Sequence, residues 1–180
     1  LRTMPQVAGV EISRRLPGTL VVKIRENLPV ALAPSPRGFE AVDTAGVVLP
    51  VDPTAEDLDL PIARQRDAPI LSLLGEIRSG DPMLYRRISE VARDGKSSLV
   101  LRLSPLPGSM SRLESRSPTD SGSAAQPARM PGTLRVRVPL GVSVSRLADI
   151  FPVESDLVRR RANVAELDLR YRDQVIARLQ

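Results

Sequence analysis

Histidine, cysteine and tryptophan are all absent from the 180 residues of this chain. Without histidine there is no Ser-His-Asp triad and no imidazole base that titrates near neutral pH. Without cysteine there is no thiolate nucleophile, zinc knuckle, iron–sulfur cluster or disulfide. We therefore expect no catalytic, metal-binding or cofactor-binding residue, and we predict that the chain is not an enzyme.

Aromatic residues are almost as scarce, since two Phe and two Tyr make up 2% of the chain. The core must therefore be packed with Leu, Val and Ile, and hydrophobic residues reach 42% of the total. The chain is basic, with a formal net charge of +5. So few aromatic side chains cannot form a platform on which nucleotides stack, and the arginines are spread along the chain. We accordingly expect no nucleic acid as a partner.

Long apolar runs are missing too. No run reaches the roughly 18–20 apolar residues that a membrane-spanning helix needs. No signal peptide is recognisable, and the chain starts at Leu1 rather than with Met. We expect its natural beginning to lie upstream.

Alternation of apolar and polar residues predicts a β-hairpin near the start of the chain, turning at residues 14–18. Its alternating apolar positions are Val10, Ile12, Leu20, Val22 and Ile24. A Pro-rich loop is predicted over residues 33–38, and a second hairpin over 39–50 with Gly46 in its turn. The acidic residues that follow, from Asp52 to Asp59 with Glu56 and Asp57, lack the spacing of a calcium-binding loop and indicate a solvated segment.

The clearest helical pattern covers residues 79–93. Asp81 is a suitable N-cap and Pro82 suits the first helical position. Gly95 is expected to end the helix as a C-terminal cap. The predicted apolar stripe consists of Leu84, Ile88 and Val91.

Two strands, 98–103 and 133–138, are predicted on either side of a segment with a different composition. Residues 104–132 are rich in Ser, Pro, Arg and Gly, so we expect a disordered insertion that cannot bury enough apolar surface to order itself. Because the cost of closing a loop rises only logarithmically with its length, the two strands are still expected to form one hairpin.

The last part of the chain predicts helical segments and a terminal hairpin. Ser143 or Ser145 is expected to cap a helix that Pro152 interrupts, with a second segment over 154–161. Strands follow at 166–171 and 174–179, joined by a turn at Arg172 and Asp173. The predicted fold class is α+β, with a mainly antiparallel β-sheet and flanking helices.

Three stretches, in this order, resemble the FtsQ/DivIB family of bacterial cell-division proteins. The first covers residues 4–31, with the hairpin around Leu16–Pro17–Gly18–Thr19–Leu20 and then Glu26, Pro29 and Ala31. The second covers 41–48, followed by Leu60–Pro61. The third covers 164–171 and contains the most specific run, Asp168–Leu169–Arg170–Tyr171.

The chain departs from the family pattern in three places. Leu16 stands where the family often has an aromatic residue, and the turn after Tyr171 has Asp173 where the family usually has Gly. The strand and helix with which the family's POTRA domain begins have no counterpart here. The resemblance therefore implies the C-terminal part of a POTRA domain at 1–31. It further implies an FtsQ-type β-domain at 32–180, with the insertion at about 104–132.

What the resemblance implies about function is a non-enzymatic scaffold of the divisome, acting in septation during the cell cycle. The family is anchored in the cell inner membrane by a single N-terminal span, with this region on the periplasmic side. It binds the small coiled-coil division proteins FtsB and FtsL, chiefly through the last strand of the β-domain. An exposed terminal strand is physically suited to this role, because its unpaired backbone groups accept an added strand.

The candidate partner-binding residues are Arg170, Tyr171, Asp173, Gln174, Val175, Ile176, Ala177 and Arg178. Tyr171 is either an aromatic anchor for a partner or a core residue that alternates with Leu167 and Leu169. Arg170 and Arg178 either pair with carboxylates of an acidic partner or lie on a solvated sheet face.

Three other functions stay open from the sequence. Another POTRA-type module, of outer-membrane assembly or secretion, would also bind proteins. A carboxylate-dependent enzyme would need two acids converging in a pocket, and no Asp/Glu pair here has a motif behind it. A nucleic-acid binder would lose affinity steeply with salt.

Overall fold

The computed structural model describes residues 4–52, 58–105, 133–160, 162 and 164–179. The chain forms two compact units, Leu1–Arg86 and Arg87–Gln180. Both units combine β-strands with helices, and most strand pairs are antiparallel. The predicted α+β class with a mainly antiparallel sheet is therefore confirmed. The disorder predicted for 104–132 falls almost entirely on residues outside the described part.

The first unit begins with the predicted hairpin, which is confirmed. Strands β1 (Val7–Arg15) and β2 (Thr19–Glu26) pair in an antiparallel register that matches Arg15 with Thr19 across the turn. Ile12 lies opposite Val22, and side chains two residues apart share a face, so the apolar residues form one side of the hairpin. Those apolar side chains are largely exposed.

A second antiparallel hairpin is formed by β3 (Ala31–Ser35) and β4 (Gly38–Val42). The Pro-rich loop predicted at 33–38 is therefore wrong, since Pro34 lies in β3 opposite Phe39. The short strand β5 (Ile62–Ala63) pairs in parallel with β3 only at Leu32. Pro34 is tolerated because β5 does not extend alongside it, and a strand edge does not need that N–H as a donor.

The predicted turn at residues 43–46 is present, but the hairpin predicted around it is only partly formed. Gly46 has a φ of 80°, and the Asp43 carboxylate accepts the backbone N–H groups of Ala45 (2.9 Å) and Val47 (2.8 Å). The returning arm, however, pairs with β4 through a single bridge at Val48.

Helix α1 (Ala68–Gly80) carries most of the buried helical residues of this unit and is not predicted from the sequence. Its start signal is weak, since Asp67 makes no side-chain capping bond, although a proline occupies the first turn. The buried residues recur at helical spacing and are Ile70, Leu71, Leu73, Leu74 and Ile77.

The helix predicted over 79–93 is wrong beyond Arg87. Helix α2 (Pro82–Arg87) is capped as predicted, because Asp81 Oδ1 accepts the N–H of Leu84 at 3.0 Å. Strand β6 (Ile88–Asp94) then replaces the helix, and Gly95 lies in the following turn with a φ of 73°. An irregularity in the pairing between Ile88 and Glu90 keeps Ile88 and Val91 both buried, so their spacing imitates a helical stripe.

The second unit has the strand order β10-β9-β8-β7-β6. Its further strands are β7 (Ser98–Leu103), β8 (Leu134–Pro139), β9 (Val164–Asp168) and β10 (Ile176–Leu179). The hairpin predicted from strands 98–103 and 133–138 is confirmed by the antiparallel pairing of β7 with β8. Strands β8 and β9 are parallel, which requires a crossover connection between them.

That crossover contains two short helices. Helix α3 (Val144–Leu147) is capped by Ser143, whose Oγ accepts the N–H of Arg146 at 3.3 Å. Helix α4 (Ile150–Arg159) begins before Pro152, so the predicted interruption at this proline is wrong. A proline in the first helical turn removes no intrahelical hydrogen bond. No helix among the residues that the structure describes is long and apolar enough to cross a bilayer.

The sheet of the second unit separates apolar from charged side chains. Alternation along each strand places Leu101, Val136 and Leu167 on one face, where they are completely or almost completely buried. The other face carries Arg135 and Glu166, which lie opposite each other on β8 and β9. The terminal strand β10 pairs with β9 and continues this charged face, with Arg178 opposite Glu166.

Candidate functional site

Strand β10 lies at one end of the strand order of its unit. It pairs antiparallel with β9, with Ile176 opposite Asp168, Ala177 opposite Leu167 and Arg178 opposite Glu166. Among the described residues, no strand pairs with its other side. The candidate site is therefore a short sheet edge whose outward backbone groups are available to another strand.

The terminal strands are shorter than the sequence predicts, because the ladder ends at Asp168. The backbone N–H of Arg170 donates to Asp168 Oδ1 at 3.1 Å instead of to a neighbouring strand. Such a local side-chain acceptor competes with sheet pairing. Residues 169–175 consequently form a connection, and five of the predicted site residues lie in it: Arg170, Tyr171, Asp173, Gln174 and Val175.

Tyr171 is 47% exposed, whereas Leu167 and Leu169 are almost fully buried. Of the two interpretations of Tyr171, core packing is therefore excluded. Ile176 at 39% and Leu179 at 63% are also exposed. Leu179 was not among the predicted site residues, although its alternation with Ala177 already indicated a position on the terminal strand. The edge thus presents three apolar side chains to solvent.

Arg170 is held by Asp168. Its Nε and Nη2 atoms lie 2.9 Å and 2.6 Å from the two carboxylate oxygens. These hydrogen bonds lower the pKa of Asp168, although the burial of that carboxyl opposes the effect, and the same contact raises the pKa of Arg170. Arg170 therefore has an internal role, in which it neutralises a carboxylate that is only 2% exposed, and its pairing with a partner stays a prediction.

Glu166 is surrounded by three guanidinium groups of the charged face. Its carboxylate lies 3.4 Å from Arg135 Nε, 3.3 Å from Arg137 Nε and 3.8 Å from Arg178 Nη1. Arg137 also approaches Asp94, at 3.2 Å. Arg178 has the longest of these contacts and its side chain is 62% exposed, so it is the cation that the edge presents most openly.

Arg146 of α3 contacts the connection between β9 and β10. Its Nη2 atom donates to the carbonyl oxygen of Tyr171 at 2.8 Å and to that of Gln174 at 3.0 Å. Its Nη1 atom donates to Asp149 Oδ2 at 2.6 Å. Arg146 was not predicted as a site residue, because its partners lie 25 and 28 positions away and no local pattern connects them.

Arg87 ties the beginning of β6 to the crossover helices of the same unit. Its guanidinium donates to the Ser104 carbonyl oxygen at 2.9 Å and to the Glu154 carboxylate at 2.8 Å, and it lies 5.5 Å from the centre of the Phe151 ring. Arg87 is buried, and the cluster lies away from the candidate edge in sequence, so we assign it to the framework of the unit.

No protein-family model matches the chain, and no curated protein matches it significantly. Nor do the described residues contain any group of three or more side chains suited to hold a metal ion. What the site offers is thus a strand edge with apolar side chains and a cation.

Proposed function

We propose that this chain is the extracytoplasmic part of a cell-division scaffold of the FtsQ/DivIB type. In this proposal it binds FtsB- and FtsL-type proteins by adding one of their strands to β10. The full-length protein is then anchored in the inner membrane by an upstream span, with this region in the periplasm. The single observation that supports the binding mode best is the position of β10 at the end of its sheet.

Strand addition explains why so short an edge is sufficient. Each main-chain hydrogen bond formed with an incoming strand contributes about 0.5–1.5 kcal/mol net. Strand β10 covers only Ile176–Leu179, so the backbone supports a modest and reversible interaction. Side chains beside the strand must supply the rest of the affinity and the specificity.

The exposed apolar residues provide part of that affinity. Ile176 and Arg178 project to the charged face of the sheet, and Ala177 projects to the opposite face. Leu179 follows an irregularity in the pairing with β9. Tyr171 precedes the strand and supplies an aromatic ring of the type enriched in binding hot spots. A partner strand with an apolar residue on each face would cover these side chains.

Arg178 is suited to exchange its present carboxylate for one on the partner. Its distance to Glu166 is 3.8 Å, which is long for an ion pair. If Arg178 turned to a partner, Glu166 would keep Arg135 and Arg137 as neighbours. The exchange therefore leaves no buried charge without compensation, and it favours an acidic partner strand.

Two adjacent proline substitutions test strand addition. In an antiparallel pair, the N–H groups of Ile176 and Ala177 point to opposite sides of the strand, so one faces β9 and the other faces outward. Proline removes the donor at either position. We expect the variant that loses the outward-facing N–H to keep the wild-type melting temperature and to bind a soluble FtsB-type fragment at least about tenfold more weakly. The variant that loses the N–H facing β9 should be destabilised.

The measurement is calorimetric titration alongside thermal unfolding of each variant. Arg178→Glu adds a test of charge, and Arg159→Glu, at an exposed position on α4, is its matched control. Of these two charge reversals, only Arg178→Glu should weaken binding. Wild-type affinity in the proline variant that remains stable would disprove strand addition at β10.

A further inference from the structure

The connection between β9 and β10 is fastened at both ends of its turn by one side chain. Tyr171 and Gln174 are the first and fourth residues of a turn whose middle residues are Arg172 and Asp173. Their carbonyl oxygens converge on the Nη2 atom of Arg146. A donor that bonds both ends of a turn fixes the direction in which the chain leaves it.

From this geometry we infer that Arg146 is a positioning residue, which sets the path of β10 before a partner arrives. The inference rests on the proposed function, because it concerns how well the same edge strand is ordered before a partner binds. Arg146 need not touch the partner. It acts through the backbone of Tyr171 and Gln174, whose carbonyl oxygens it engages.

The guanidinium itself is held in place from α3. Its Nη1 atom donates to Asp149 Oδ2 at 2.6 Å, and its own backbone N–H is bound by the Ser143 cap at 3.3 Å. The Arg146 side chain is about three-quarters buried, with 23% exposed. Charge-assisted hydrogen bonds from a partly buried, oriented guanidinium are stronger than those between neutral groups. The Arg146 guanidinium is therefore oriented by contacts that do not involve the connection between β9 and β10.

A short edge strand depends on such a contact more than a central strand does. Among the described residues, β10 pairs with no strand other than β9, and its pairing starts at Ile176, two residues after Gln174. Without the Arg146 bonds, the turn loses the contacts that fix its exit, and the start of β10 is expected to fray. A partner would then have to order the strand during binding, which weakens affinity without removing any direct contact.

Hydrogen exchange on the chain alone tests the ordering role. We expect Arg146→Met, which keeps the stem but removes the charge, to speed exchange of the protected β10 amides roughly tenfold. Arg146→Lys should restore part of the protection, because its ammonium can still donate to a carbonyl oxygen. Amides of β7 and β8 should be unaffected. Unchanged exchange in β10, or equal acceleration in β7 and β8, would overturn the inference.

Binding then separates this inference from the proposed function. With a soluble FtsB-type fragment as the probe, we expect R146M to bind at least about fivefold more weakly than the wild-type chain and R146K to lie between them. Arg160→Met, which removes a surface ion pair on α4, is the control for loss of an arginine in the crossover, and it should bind like wild type. Absence of binding by the wild-type chain would disprove the proposed function. Wild-type affinity in R146M would disprove the positioning role alone.

Discussion

Arg87 directs one guanidinium nitrogen, Nη2, to both carboxylate oxygens of Glu154 at 2.8 Å. The two side chains are only 8% and 12% exposed. The pair joins the start of β6 to α4 within the second unit, and the Arg87 Nη1 atom has no hydrogen bond among the described residues. Arg87 therefore relies on Glu154 and the Ser104 carbonyl oxygen for compensation of its buried charge.

Removing one member of this pair should be costly. We predict that Glu154→Ala lowers the free energy of unfolding by about 3–5 kcal/mol, because it leaves the Arg87 charge buried without its partner. Urea unfolding at neutral pH measures the loss. Asp156→Ala is the matched control on the same helix, since Asp156 pairs with Arg160 at the surface and should cost less than about 1 kcal/mol. Similar losses in both variants would contradict the prediction.

The burial of Tyr85 in the first unit predicts how the stability of the chain changes at alkaline pH. Its Oη atom donates to the Val30 carbonyl oxygen at 2.9 Å, and burial raises the pKa of Tyr85 from 10.0 to about 12. The contribution of the protonated phenol to stability is thus complete below pH 10.0 and is lost as the pH rises towards about 12. Tyr85→Phe should cost about 1–3 kcal/mol at neutral pH, because the carbonyl oxygen loses its donor.

The measurement is the free energy of unfolding of wild type and Tyr85→Phe from neutral pH to about pH 12. The difference between them should shrink as the solution becomes alkaline, because only the wild type loses the stabilising protonated form. A difference that stays constant over this range would show that Tyr85 titrates as it does in the unfolded chain.

The contact between Asp168 and Arg170 predicts how the stability of the chain changes at acid pH. Its contact with Arg170 holds the pKa of Asp168 below 3.8, so the stability that it contributes is present above pH 3.8 and is lost as the pH falls below that value. Arg170→Met removes the bonded cation and should move acid unfolding to higher pH. Circular dichroism during acid titration follows this change. Arg160→Met, at a surface pair, is the control, and an unchanged acid midpoint in Arg170→Met would refute the explanation.

Gly46 is predicted to resist substitution. Its φ of 80° lies in the left-handed region, which costs a residue with a Cβ atom about 1 kcal/mol. Gly46→Ala should therefore lower the free energy of unfolding by roughly that amount, as measured by urea unfolding. Gly18→Ala is the control, because an added Cβ there meets nothing within 4 Å and the φ of Gly18 is not positive. Equal stability of both variants would argue against strain at Gly46.

Features that depend on residues close together in the sequence were predictable from it. The β1–β2 and β7–β8 hairpins follow from the alternation of apolar residues, and the caps at Asp81 and Ser143 follow from residue type. The helix predicted over 79–93 failed because Ile88 and Val91 keep a helical spacing inside an irregular strand. Their burial depends on pairing with β7, which no local pattern reveals.

The candidate site was predictable in position but not in detail. The last strand was expected at an edge, and β10 lies there. The exposure of Tyr171 could not be derived, because alternation with Leu169 was compatible with core packing as well as with an exposed anchor. The capture of Arg170 by Asp168 ends the strand early through a side-chain bond. Arg146 was beyond reach from the sequence, because it acts on carbonyl oxygens far along the chain.

The most direct test of the central claim is hydrogen exchange on this chain with and without a soluble FtsB-type fragment. Strand addition at β10 predicts slower exchange that is confined largely to residues 175–179, with β6 to β8 unchanged. If the fragment protects no amide at concentrations up to the high micromolar range, or protects residues elsewhere and leaves 175–179 unaffected, β10 is not the binding edge.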